Sequence, residues 1–272
     1  MNTLMNEDAT PKQEGESSAK SFFRIFKKAD VFGKPENQSK NRRADVPCWD
    51  HSRVTLSNLF GRSSTSDYIH ANWLDGHGKC RKYIATQAPM KNTIDDFLDM
   101  IMQYTCRYVV VLTDIMEEGV EKCYLYWPTK DHEIRIFDRW SISLRSKYDR
   151  NGYSKYLLEL RSCQESENVL TFILYHYTNW TEKNGPKNRE ERDKFVAETR
   201  SEINDYRHLH KPYETPIVVH GSLGMRRTVH YCVRHELLDF ADEEKSEVPK
   251  RIFHQIAKTM YSARYCPRKS IE

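Results

Sequence analysis

The sequence is most informative at first for what it lacks. No apolar run approaches the roughly 20 residues that a membrane-spanning helix needs; the longest are short stretches such as Val109–Leu112. No apolar leader opens the chain either, since residues 1–20 are polar and rich in Ser, Glu and Lys. The seven cysteines are odd in number and scattered, with no C-x-x-C pair, which argues against a disulfide scaffold and against a zinc module. RNA-binding aromatic motifs and zinc-finger spacings are missing too, so nucleic acid is not an expected partner. These absences predict a soluble protein of a reducing compartment, with no metal and no cofactor.

What is present supports a packed domain. Of the 272 residues, 38% are hydrophobic and 30% charged, enough apolar material for a core. The formal net charge is only +4, but its distribution is uneven. Residues 21–43 carry seven basic side chains against Asp30 and Glu36, and residues 250–269 carry Lys250, Arg251, Lys258, Arg264, Arg268 and Lys269 with no acid. Such blocks form either a solvated face or a surface for an anionic partner, and a phosphorylated protein fits better than nucleic acid.

Hydrophobic periodicity predicts strands at 52–56, 67–74, 82–86, 108–113, 134–144, 153–160, 169–177 and 215–220. It predicts helices at 92–103 (with Asn92 as a cap), 189–206, 228–240 and 252–260, and a short amphipathic one at 21–28. The order, strand-rich in the middle and helix-rich at the end with no repeat, reads as a single α+β or α/β domain.

The sharpest local feature is Pro216-Ile217-Val218-Val219-His220-Gly221-Ser222-Leu223-Gly224-Met225-Arg226-Arg227-Thr228. An apolar strand enters a turn over 221–227 with two glycines and two arginines, and a helix follows. Successive backbone N–H groups of such a turn, backed by a helix dipole, make an anion cradle. Arg227 adds a guanidinium that matches a phosphate's oxygens.

This segment resembles the phosphate loop of the protein tyrosine phosphatases, V-H-C-x-x-G-x-x-R-[ST], with Gly221 where that pattern has its cysteine nucleophile. Lys40-Asn41-Arg42 with Asp45-Val46 resembles K-N-R-Y-x-D-V, and Asp67–Asn72 resembles D-Y-I-N-A-[NS]. Tyr83–Pro89 resembles Y-I-x-T-Q-[GA]-P, and Met116-Glu117-Glu118 with Lys122-Cys123 and Tyr126-Trp127-Pro128 resembles M-x-E-x4-K-C-x-x-Y-W-P. The wording of Lys34–Asn37, of Pro47–Val54 and of Tyr68–Asn72 is most similar to the tyrosine-phosphatase-like proteins of bracoviruses.

The resemblance implies a twisted mixed β-sheet flanked by helices, over residues 21–272 after a flexible polar tail at 1–20, with the family's final loop and last helix missing. It implies phosphate binding by Gly221, Ser222, Leu223, Gly224, Met225, Arg226 and Arg227, and substrate recognition by Arg43 and Asp45. It also implies loss of catalysis. Gly221 has no side chain to attack phosphorus, and deleting a nucleophile of a concerted set costs on the order of 10⁵–10⁶ in rate. Glu182 stands where the family's W-P-D loop has its general acid, beside Thr181 in place of proline. Arg43 replaces the tyrosine that walls the pocket, Arg226 sits where a glycine is usual and would crowd the turn at positive φ, and Lys269 falls near the water-positioning glutamine. The expectation is a pseudophosphatase of the cytoplasm, a host cell's if the chain is viral. It would bind phosphotyrosine proteins and interfere with signalling in immune cells. The alternative is an interaction protein that ignores phosphate and acts through its basic surface.

Overall fold

The computed structural model describes residues 28–61, 66–150, 152–165, 167–181, 183–209 and 215–267. The expected tail at 1–20, the helix at 21–28 (Lys28 excepted), Glu182 and Lys269 lie outside the described residues.

In chain order the elements are α1 (Pro35–Gln38), β1 (Arg53–Thr55), β2 (Tyr68–Gly76), β3 (Lys79–Gln87), α2 (Ile94–Gln103), β4 (Tyr108–Val111), β5 (Met116–Glu117), β6 (Val120–Glu121), β7 (Ile134–Ile136), β8 (Trp140–Arg150), β9 (Tyr153–Ser162), β10 (Val169–Tyr177), β11 (Trp180–Thr181), β12 (Gly185–Pro186), α3 (Arg189–Leu209), β13 (Ile217–Gly221), α4 (Arg226–Glu244) and α5 (Lys250–Ala263). Nine strands form one mixed sheet in the order β1-β2-β3-β13-β4-β10-β9-β8-β7, with small two-stranded pairs β5–β6 and β11–β12 beside it.

The apolar runs explain the sheet's centre. β3, β13, β4 and β10 run parallel, and strands covered on both faces need apolar side chains on both. Alternation then sorts each strand between two cores. Val109, Val111 and Val218 face the side covered by α2, where Phe97, Leu98 and Ile101 meet Trp127 and Trp140. Val110, Leu112, Ile217 and Val219 face α3–α5, against Phe195, Ile203, Tyr231 and Met260. A buried ionic tie joins the second side to the sheet: Lys82 Nζ lies 2.6 Å from Glu236 and 2.5 Å from Asp239 on α4. The parallel strands leave their carboxyl ends on one rim, which in α/β sheets is where ligands bind. β13 ends there at Gly221.

The predicted elements differ from the observed ones at several points that bear on the site. The strand read at 134–144 is a hairpin, β7 and β8, because Phe137 N donates to Trp140 O (2.8 Å) and Arg139 N to Asp95 Oδ1 (2.9 Å), turning the chain at polar Asp138-Arg139. Asn92 is no cap: its amide donates to Ser39 O (2.8 Å), and α2 starts behind Thr93. The turn after β13 spans four residues rather than seven, since Gly221 still pairs with Gln87 and α4 begins at Arg226. Arg226 therefore has helical backbone, is absent from the residues with positive φ, and does not crowd the turn.

Candidate anion-binding site

The turn 222–225 is held from behind by its carbonyls. Ser222 O accepts from Ala88 N at 3.0 Å. Arg264, fully buried, donates from Nε to Gly224 O at 2.9 Å and from Nη2 to Leu223 O at 3.0 Å. In a planar trans peptide the N–H points opposite the C=O. Anchoring these three carbonyls on the protein side therefore turns the N–H groups of Leu223, Gly224 and Met225 outward. The N–H groups of Ser222 through Met225 donate to no described residue. Gly224 is required here: its φ is +64°, and a Cβ would lie 2.1 Å from Thr86 O.

Gly221 is not required by its backbone. A Cβ there would meet Arg227 Nε at 3.4 Å and Thr228 Oγ1 at 3.7 Å, ordinary contact distances. Its N–H donates to Thr228 Oγ1 at 2.9 Å. Arg227 is buried, with Nη1 2.6 Å from both Glu117 Oε1 and Trp180 O, and its Nε edge faces the loop.

The turn opens into a cleft of about 190 Å³ lined by residues 221–228 together with Arg43, Asp45, Val46, Tyr265 and Pro267. All seven expected phosphate-loop residues and both expected recognition residues thus converge. Arg43 and Asp45, however, are bound to each other through Nε–Oδ1 (2.7 Å) and Nη2–Oδ2, and this bonding with Arg43 lowers the Asp45 pKa. No cysteine lines the cleft among the described residues. Cys48, the cysteine of the Pro47–Val54 segment, is buried under the sheet's edge with its thiol pushed up to about 11 by burial. Of the loop that resembles W-P-D, Trp180 and Thr181 form a short hairpin with Gly185 and Pro186.

Two residues that matter are invisible as such in the sequence. Arg264 sits in the basic block 250–269, which reads as surface, yet it is 0% exposed. Besides the loop carbonyls it donates to Asn72 Oδ1 (2.6 Å) and meets His70 Nδ1 (2.9 Å). None of these partners carries a negative charge. Glu117 lies within a quoted motif, but nothing in that motif marks it as the partner of Arg227. The basic run before residue 43 is likewise partly structural: Arg42 donates to the carbonyls of Glu121, Ala88 and Pro89, and Lys40 pairs with Asp96 at 2.9 Å.

The buried imidazoles around the loop are neutral. His220 meets the Tyr126 hydroxyl at 3.0 Å, and burial lowers its pKa to about 3. His70 is lowered to about 3 by burial and then by Arg264. A histidine whose folded pKa lies below its unfolded value near 6.5 binds fewer protons folded than unfolded between those values, so stability falls as pH falls. Each of the two histidines is expected to remove about 2 kcal/mol between pH 6.5 and 5, at about 1.4 kcal/mol per pH unit. Urea denaturation at both pH values checks this; equal midpoints would contradict the buried neutral state.

A protein-tyrosine phosphatase family model matches residues 37–266. The chain belongs to that family. Among its relatives, the probable tyrosine phosphatase protein N1 of Microplitis demolitor bracovirus is 36% identical over 206 residues, 73% of this chain and 62% of that protein. The receptor-type tyrosine-protein phosphatase zeta of Rattus norvegicus is 30% identical over 222 residues, 79% of this chain and 9% of the receptor. Tyrosine-protein phosphatase 99A of Drosophila melanogaster is 33% identical over 211 residues, 75% of this chain and 15% of that protein. The chain thus spans less than two thirds of each of these relatives. The mixed sheet with flanking helices is the phosphatase architecture that the motifs implied. No helix among the described residues is long and apolar enough to cross a membrane.

Proposed function

We propose that this chain is a phosphotyrosine-binding member of the tyrosine phosphatase family that holds the phosphate ester without hydrolysing it. One observation carries the reading: the carbonyl-anchored turn keeps its outward amides and Arg227, while the strand end that would supply the nucleophile is Gly221 and no described cysteine lines the cleft. Amide donors and a guanidinium recognise phosphate oxygens whatever the side chain at 221. A missing thiolate also removes a negative charge that would repel the incoming dianion. Similarity to the bracoviral protein extends the proposal: the chain acts in the cytoplasm of a host cell, where it shields phosphotyrosine proteins and so interferes with immune-cell signalling.

Calorimetric titration of a phosphotyrosine peptide against its unphosphorylated twin tests the binding. The phosphopeptide is expected to bind about a hundredfold tighter, from two charge-assisted hydrogen bonds of about 1.5 kcal/mol each, and Arg227→Met is expected to cut that preference at least about tenfold. Equal affinity for the two peptides would favour an interaction protein indifferent to phosphate.

A further inference from the structure

Adjoining the loop cleft at Arg226 and Arg227 lies a larger cavity of about 580 Å³, between the β11–β12 hairpin, α3, α4 and α5. Its size is that of pockets which enclose small organic ligands, roughly 300–1,000 Å³. Its charge is one-sided. Lys183, Arg189, Arg192, Arg226, Arg227 and Arg234 line it, and no described acid does. Arg189 and Arg226 form no ion pair with a described residue. Asp193 bridges Arg192 (2.7 Å) and Arg234 (2.9 Å) from outside the lining, one carboxylate for two guanidiniums.

Arg234 Nε donates to His230 Nε2 at 2.7 Å, so that nitrogen acts as an acceptor, and His230 is lowered to about 4 by burial and by Arg234 and Arg192. Arg234 is itself lowered by burial and then by Arg192. Apolar carbon comes from Val233, Leu237, Phe253, Ala257 and Tyr261 of α4 and α5 and from Trp180 at the hairpin, while Thr181, Asn184 and His230 add neutral polar groups. Cations set beside aliphatic and aromatic carbon complement a molecule with a charged head and an apolar body.

We propose that this cavity is a second anion site, adjoining the phosphate loop at Arg226 and Arg227, which takes a small organic anion made of an aryl or alkyl body with a phosphate or sulfonate head. The head sits among Arg189, Arg226 and Arg234, and the body lies against Leu237, Phe253 and Tyr261.

The probe is 2-naphthyl phosphate, titrated by fluorescence and calorimetry against the full chain, with 2-naphthol and inorganic phosphate as its two halves. A Gly221→Asp background separates the sites. The space at Gly221 admits a side chain, and a carboxylate beside Arg227 repels anions from the loop cleft. In that background one site is expected to remain, binding 2-naphthyl phosphate at least about tenfold tighter than either half. Arg189→Gln and Arg234→Gln are each expected to weaken it about tenfold, as is Phe253→Ala, and added salt should weaken it further. Thermal melts of each variant report folding, and the two arginine variants carry the test if Phe253→Ala unfolds. No binding in the Gly221→Asp background would overturn the proposal while leaving the loop reading intact. So would 2-naphthol binding as tightly as its phosphate, or arginine variants that bind like their parent.

Discussion

Gly221→Cys is expected to give this chain an aryl-phosphate hydrolysis rate at least about 10³-fold above its own. The local geometry allows the thiol: Gly221 lacks a positive φ, and an added Cβ makes only ordinary contacts with Arg227 and Thr228. A sulfur placed there stands beside a buried guanidinium, a hydroxyl and the start of α4. Cysteines in such surroundings have pKa values lowered to roughly 3.5–7.5, so the thiolate predominates at neutral pH. Deleting a nucleophile costs about 10⁵–10⁶ elsewhere, and restoring it should return only part of that here if, as the resemblance to the W-P-D loop implies, Thr181 and Glu182 stand for its proline and aspartic acid. Hydrolysis of p-nitrophenyl phosphate, with the pH dependence of iodoacetate alkylation, reads both the rate and the thiolate. Equal rates for the two proteins would place the reacting group elsewhere or remove the loop from the chemistry.

The largest effect on stability is expected at Arg264. Arg264→Met strips the hydrogen bonds from Leu223 O, Gly224 O and Asn72 Oδ1 in a region closed to water. Asn72 Oδ1 still accepts from Cys48 Sγ, whereas Leu223 O and Gly224 O are left without a partner at about 1–3 kcal/mol each, so the loss should reach about 2–6 kcal/mol in all. The loop amides also lose the anchoring that aims them. Lys258→Met, an exposed change in the same basic run, should stay within about 0.5 kcal/mol. Urea denaturation of the three proteins, followed by phosphopeptide titration, makes the comparison. If the two substitutions cost the same, Arg264 does not clamp the loop.

The contrast between Arg264 and Lys258 shows where the sequence stops being legible. Both belong to one acid-free stretch, and composition cannot tell a guanidinium buried under a turn from an ammonium in water. Arg264 closes helix α5, while its acceptors come from residues 72, 223 and 224, a pairing that exists only after the sheet has formed. The core strands are readable for the opposite reason. In Val109–Leu112 and Ile217–Val219, continuous apolar residues with turn signals around them specify strands buried on both faces. The turn after β13 is legible too, as an apolar strand running into a glycine-containing turn and a helix. The hairpin at Phe137–Arg139 is not, since a distant side chain, Asp95, holds it. Nor is the basic cavity, whose arginines at 189, 226 and 234 come from two helices that the sequence cannot bring together.

The central question is whether the cleft grips a phosphate ester and leaves it whole. Phosphorus NMR of the unmodified protein with excess phosphotyrosine peptide reads both at once. The expected spectrum has an ester resonance shifted or broadened by the protein, with no inorganic phosphate after prolonged incubation. A growing inorganic phosphate signal, or an ester line untouched by the protein, would contradict it.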